Sequence, residues 1–144
     1  MIAIASDHAG VAVKTDICRF LQSLGFEVED LGPEDASSVD YPDYAHLLAR
    51  AISDGRIERG ILVCGTGIGM SMAANRHRGV RAALCHDAYT AEMARRHNDA
   101  NVLCVGARST GAGVVEQIVR IFAETSFEGG RHQRRVAKIE REDT

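Results

Sequence analysis

The chain lacks the marks of several large protein classes. Nowhere do about 20 apolar residues run together, the length a helix needs to cross a bilayer, and Met1 leads straight into a strand-like segment without a positively charged leader. These absences predict a cytoplasmic protein. Its four cysteines, Cys18, Cys64, Cys85 and Cys104, stand far apart with no C-x-x-C pair, which argues against a cysteine zinc site or a disulfide frame and for reduced thiols. Charge is nearly balanced at -3, so the chain as a whole has no general attraction for nucleic acid or an anionic membrane, and any basic site must be local. Internal repeats, low-complexity stretches and linkers are also missing.

What is present is one domain's worth of core: 144 residues, of which 45% are hydrophobic and 26% charged. Short apolar runs at residues 2–6, 26–31, 60–65, 81–85 and 101–106 read as strands. Between and after them, segments near 11–24, 42–54, 67–77, 87–97 and 111–125 carry apolar residues at helical spacing. In the first helix Val13, Ile17, Phe20, Leu21 and Leu24 form one stripe, Lys14, Asp16 and Arg19 are assigned to the wet side, and Gly25 supplies the stop. Strand and helix alternating in this way predict a five-stranded parallel sheet with right-handed crossovers and helices on both faces. The expected fold is a single doubly wound, Rossmann-like α/β/α domain over residues 1–144, with a helical tail from residue 129.

Ligands of such folds sit beyond the carboxyl ends of the strands, which directs attention to the strand-to-helix loops. Cys64-Gly65-Thr66-Gly67-Ile68-Gly69 closes a strand and opens a helix. Its alternate glycines let backbone N–H groups converge on an anion, and the thiol at its rim becomes a candidate base or nucleophile. The final G-K-[S/T] of a phosphate-binding P-loop and the G-x-G-x-x-G spacing are both missing, so nucleotide readings lose ground. The plain alternative is a buried cysteine at a strand end. Ser6-Asp7-His8-Ala9-Gly10 should lie on the same rim, either to meet a ligand or to cap a helix. The long polar segment 31–42 exceeds what a connection needs and could fold over a site, with Asp40-Tyr41-Pro42 opening the second helix.

The remaining candidates have equally plain alternatives. His97-Asn98-Asp99 ends the fourth helix, at the amino edge of the sheet and therefore opposite Cys64; His97 either satisfies helix-terminal carbonyls or serves a site on another copy of the chain. Arg131 and Arg135, four apart, share a face if the tail is helical and could clamp a phosphate, or else belong to a solvated basic tail. Arg108 follows the last strand where an anion-binding loop is expected. Met70 and Met72 read as packing residues, and Cys18, Cys85 and Cys104 as inert core positions.

Taken together, SDHAG, DYPDYA, CGTGIGMSMAAN, RHNDANVL and EGGRHQRRV resemble, in order and from residue 2 to about 140, type B ribose-5-phosphate isomerase and related sugar-phosphate isomerases. The resemblance implies interconversion of a phosphorylated aldose and ketose through a cis-enediolate, with no metal or organic cofactor. It casts Cys64 as the base between C1 and C2, with Thr66 beside it. The amides of Gly65, Thr66, Gly67, Ile68, Gly69 and Met70 become the hole for the enediolate oxygen. His97 resembles the residue that opens the furanose ring and Asn98 a donor to the reacting oxygens. Asp7 and Tyr41 resemble sugar-hydroxyl contacts, and His8, Arg108, Arg131 and Arg135 the phosphate grip. One branch of the family uses glutamate as base where this chain has Met70, so Cys64 places it in the thiol-using branch. Because Cys64 and His97 are expected at opposite sheet edges, the sites should be shared across a two-fold homodimer, alone or within a tetramer, the tail packing on the partner subunit. Rival readings are an isomerase of allose 6-phosphate or galactose 6-phosphate, a non-catalytic nucleotide-binding domain and a thiol redox protein.

Overall fold

The computed structural model describes residues 1–141; the acidic end of the tail, 142–144, lies outside the described residues. Five parallel strands form one sheet in the order β2-β1-β3-β5-β4: β1 (Ile2–Ser6), β2 (Val28–Asp30), β3 (Arg59–Cys64), β4 (Ala82–Leu84) and β5 (Val102–Gly106). Side chains alternate across the sheet. Ile2, Ile4, Ile61, Val63, Leu103 and Val105 pack on one face with α1 (Val11–Ser23), α4 (Ala88–Arg96) and α5 (Ala112–Glu124). Ala3, Ala5, Leu62, Cys64, Val102 and Cys104 pack on the other with α2 (Tyr41–Ser53) and α3 (Ile68–Ala74). Both faces being covered is why the strands read as continuous apolar runs. β2 and β4 are three residues long, shorter than the runs around them, because they are the edge strands and pair on one side only.

Strand order places the site. The chain runs from β1 outward to β2 and then returns to β3 on the other side of β1, so the β1 and β3 loops are neighbours at the point where the winding reverses. Ser6 pairs with Val63, which sets Asp7 beside Cys64. α1 stops as its sequence indicates: Gly25, at φ +90°, donates to the Gln22 carbonyl and Phe26 to the Leu21 carbonyl, a Schellman ending.

The polar face assigned to α1 needs one correction. Lys14 is only 2% exposed. Its Nζ donates to Asp30 Oδ1 at 2.7 Å and to the Pro33 carbonyl at 2.6 Å. The ammonium is thus paired and hydrogen-bonded where it is buried, and it ties the start of the 31–40 loop, including the cis Gly32–Pro33 bond, to α1. Met72 is a second correction: Met70 is fully buried as expected, but Met72 is 67% exposed, because it lies two residues further along α3 and so away from the sheet.

α2 and the end of α3 are joined by a histidine pair, His46 Nδ1 to His77 Nε2 at 2.7 Å. One ring must donate and the other accept, so protonating both breaks the bond. Burial first, then the neighbouring His46 and Arg50, holds His77 below the usual histidine range. A base lowered in the folded state binds fewer protons than in the unfolded chain; its contribution is present above about pH 6.5 and fades as pH falls below it. We expect Tm to drop across that window and the drop to be shallower in His77→Gln, read by thermal melts at matched ionic strength. Parallel pH profiles would discard the pair as a determinant.

Candidate active site

The carboxyl edge of the sheet gathers one group of candidates. Cys64 ends β3, buried with 5% exposure, and the Gly67 amide donates to its Sγ at 3.1 Å. Gly67 can do this because φ is +81°; a Cβ there would also meet Leu84 Cδ1 at 2.6 Å. The Ile68 amide donates to Thr66 Oγ1 at 3.2 Å, so two loop amides are already engaged within the loop. Those of Gly69 and Met70 precede the first intrahelical bond of α3, from Ser71 N to Gly67 O at 3.1 Å, and have no partner inside the helix. Met70 contributes only this backbone group, its side chain being sealed in the core.

Other residues converge on the same loop. The amides of Ala107 and Arg108 donate to the carbonyls of Cys64 and Gly65 at 2.8 and 2.9 Å, and the Arg108 side chain lies along Gly65, its Cδ and Nη1 3.7 Å from where a Cβ would stand. Asp7 donates from its backbone to the Val63 carbonyl, and its carboxylate accepts from Gly10 N at 3.1 Å, so it does cap the short 3-10 turn that follows. His8 Nδ1 accepts from Val39 N at 3.2 Å. That fixes the tautomer, puts the proton on Nε2 in the neutral ring, and brings the 31–40 loop over the β1 turn. Asp40 stands at the helix-cap position without a side-chain capping bond, and Tyr41 is the first residue of α2.

Tyr41 covers the glycine loop so closely that a Cβ on Gly69 would sit 2.5 Å from its ring. Gly69→Ala should therefore push aside the Tyr41 ring, itself 42% exposed, at a net cost of about 1 kcal/mol or less, because alanine also favours the helix. The check is a pair of melts: Tyr41→Ala in the Gly69→Ala background should recover most of the lost Tm. No recovery would mean that the ring is not what the methyl meets.

The second group lies at the amino edge. His97 follows α4 and Asn98 faces a cavity of about 820 Å³ walled by Asn75, Arg76, Arg81, Ile139 and Glu140, among others; Cys64 is not among its walls. Arg131 and Arg135 both fall on α6 (Arg131–Ala137), one turn apart, and α6 is anchored beside His97 by His132, whose ring stacks on His97 with centroids 4.1 Å apart. From the start of β5 to Gly106, which pairs with Cys64, the sheet runs about 13 Å. One chain therefore brings Cys64, Thr66, Asp7, His8, Tyr41 and Arg108 together but not His97, Asn98, Arg131 and Arg135.

Sequence reading missed what holds the second group. Asp99 has φ +47°, the left-handed region that Asp and Asn tolerate best among side-chain residues. Arg95, 3% exposed, donates to Asp99 Oδ1 at 3.0 Å, the Ala100 carbonyl at 2.7 Å and the Thr125 carbonyl at 3.0 Å, and Arg81 grips Asp99 from the other side. The R-H-N-D run could have signalled a left-handed turn, but nothing local marks Arg95 as buried. The other thiols are unsuited to base chemistry. Burial pushes Cys18 and Cys85 up to about 11, aided by Asp30 and Asp87 respectively, and raises Cys104 too, with Cys64 and Cys85 adding to the effect.

The relatives of this doubly wound domain, which carries a thiol and a glycine loop at its switch point, are sugar phosphate isomerases. The chain belongs to the ribose/galactose isomerase family, which matches residues 2–139. It is 44% identical to ribose-5-phosphate isomerase B of Escherichia coli over 96% of this chain and 93% of that protein. It is also 44% identical to a D-erythrulose-4-phosphate isomerase of Pectobacterium atrosepticum, over 96% and 91% of the two chains. The structure of Clostridium thermocellum ribose-5-phosphate isomerase B superimposes with a TM-score of 0.93 at 47% identity, covering 96% of this chain and 93% of that one. Among the described residues no helix is long and apolar enough to cross a membrane.

Proposed function

We propose that the chain interconverts ribose 5-phosphate and ribulose 5-phosphate, with Cys64 as the base. The observation that carries this reading is the Cys64 thiol, buried at the end of β3 and held by the Gly67 amide, in a glycine loop that Tyr41 flanks at Gly69 and Arg108 at Gly65. Phosphate is unchanged by the reaction, so His8, Arg108, Arg131 and Arg135 position the sugar, whereas charge appears at O1 and O2 and must be met by fixed donors. Cys64 Sγ takes the proton from C2 of the opened aldose. The electron pair left behind makes the C1–C2 double bond and places negative charge on O1, opposite the amides of Gly69 and Met70. Thr66 and Asn98 serve the hydroxyl protons of O1 and O2, the thiol returns its proton at C1, and Asp7 and Tyr41 hold the other hydroxyls.

His97 and Asn98 join this chemistry only from a second copy of the chain, which is why we assign a two-fold homodimer with two shared sites. The exposed Arg131 and Arg135 then reach the partner's substrate from α6. Sugar length is the finer question. The ribose and erythrulose relatives are equally similar to this chain, so overall identity does not choose between four and five carbons. Turnover of ribose 5-phosphate, erythrulose 4-phosphate, allose 6-phosphate and galactose 6-phosphate by the purified protein decides it, with the highest kcat/KM expected for ribose 5-phosphate. A higher value on another sugar would reassign the substrate. No turnover on any, together with binding of AMP or FMN, would overturn the enzymatic reading.

A further inference from the structure

The 31–40 loop is fastened at its two ends. Residues 34–38 between them are all exposed, and among the described residues no hydrogen bond links them to the rest of the chain; the Ser37 amide donates to Asp35 Oδ1 at 2.9 Å, inside the arch. The first end is fixed from within the protein. Lys14 Nζ donates to the buried Pro33 carbonyl and to Asp30 Oδ1, the same Oδ1 accepts from the Gly32 amide at 2.8 Å, and the Gly32 carbonyl accepts from Ser6 N at 3.1 Å. The second end delivers the Val39 amide to His8 Nδ1 at 3.2 Å. The turn after β1 places the backbone of His8, but among the described residues this amide is the only hydrogen-bond partner of its ring.

We propose that Lys14 is a positioning residue for the reaction: through the loop it anchors, it holds the His8 ring with Nε2–H turned to the substrate phosphate. The inference rests on the reading of His8 as part of the phosphate grip; the tie from Lys14 to the ring does not. A neutral imidazole has one donor and one acceptor, so with Nδ1 accepting from Val39 the proton sits on Nε2, where it can meet a phosphate oxygen. Without the ammonium the buried Pro33 carbonyl loses its donor, and the loop end must open to reach water. Val39 then leaves His8, whose ring turns freely and must be ordered again each time substrate binds. Phosphate is the same in the ground and transition states, so the loss falls on KM and not on kcat.

The test compares the full chain as wild type, Lys14→Met, His8→Gln and the double variant. Methionine fills the place of the lysine stem and cannot donate. Lys14→Met should raise KM for ribose 5-phosphate about tenfold, the worth of one lost hydrogen bond, with kcat lowered by less than about twofold. Competitive inhibition by inorganic phosphate should weaken by a similar factor. In the 15N NMR spectrum of the histidine rings, the Nδ1 signal of His8, assigned by its absence in His8→Gln, should move toward that of a free imidazole. KM of the double variant should match that of His8→Gln alone, since both lesions act on one ring. Should Lys14→Met not fold, Asp30→Ala loosens the same anchor from its half-exposed side and carries the same readouts. A folded variant whose His8 signal stays in place, or a double variant in which the two KM effects multiply, would overturn the inference. An unchanged KM in His8→Gln would instead refute the phosphate role of His8, and the NMR result would then decide the tie between Lys14 and the ring by itself.

Discussion

Cys64→Ser is expected to lower kcat by about 10²–10⁴-fold, the range a positioned general base contributes, with little change in KM. Serine keeps the size and lets the Gly67 amide donate to oxygen instead of sulfur, so loop and fold should survive, which unchanged Tm would verify. What is lost is acidity: an alcohol is a far weaker acid than a thiol, so the serine side chain is a much poorer group for taking the proton from carbon and returning it. KM is preserved because the groups assigned to substrate capture, His8, Tyr41 and Arg108, are not altered. Arg131 and Arg135 on α6 are untouched as well. Near-wild-type turnover by Cys64→Ser would show that sulfur is not the base. A rise in KM with kcat retained would make Cys64 a binding residue.

How far the chain could be read without coordinates follows from how local each signal is. The five strands and the five helices that pack on the sheet are visible because two covered faces demand continuous apolar runs and helices demand period 3.6; the edge strands β2 and β4 come out three residues long, α3 ends at Ala74 and not near residue 77, and the short 3-10 turn His8–Gly10 carries no apolar period to announce it. The glycine loop was equally legible, since backbone geometry at Gly67 is a property of a few adjacent residues. Lys14 was misplaced because its partners, Asp30 and Pro33, lie 16 and 19 residues away, and a lysine on a helix stripe reads as solvated until such partners are known. Arg95 and His132 were missed for the same reason. Each is buried by contacts with another element, the segment after α5 for Arg95 and α4 for His132, and no local pattern distinguishes them from the exposed Arg96 or Arg131 beside them.

Topology supplies the second large effect. Cys64→Ala and His97→Ala proteins are each expected to be nearly inactive on ribose 5-phosphate, yet mixing them under conditions of subunit exchange should restore about one quarter of wild-type activity. The figure follows from pairing. Random exchange makes half of the dimers mixed, and each mixed dimer has one site built from the intact Cys64 of one protomer and the intact His97 of the other. Its second site carries both lesions. The restored fraction therefore reports geometry and not chemistry, and it would be zero if each protomer held a complete site. A single-chain site would require the two side chains to act across the roughly 13 Å of sheet between their edges, beyond the near-contact distance that proton transfer needs. Exchange is verified independently by mass spectrometry of a tagged and an untagged pool. Confirmed exchange with no recovered turnover would refute the shared site, and recovery well above one quarter would point to an assembly in which more than one partner completes each Cys64 loop.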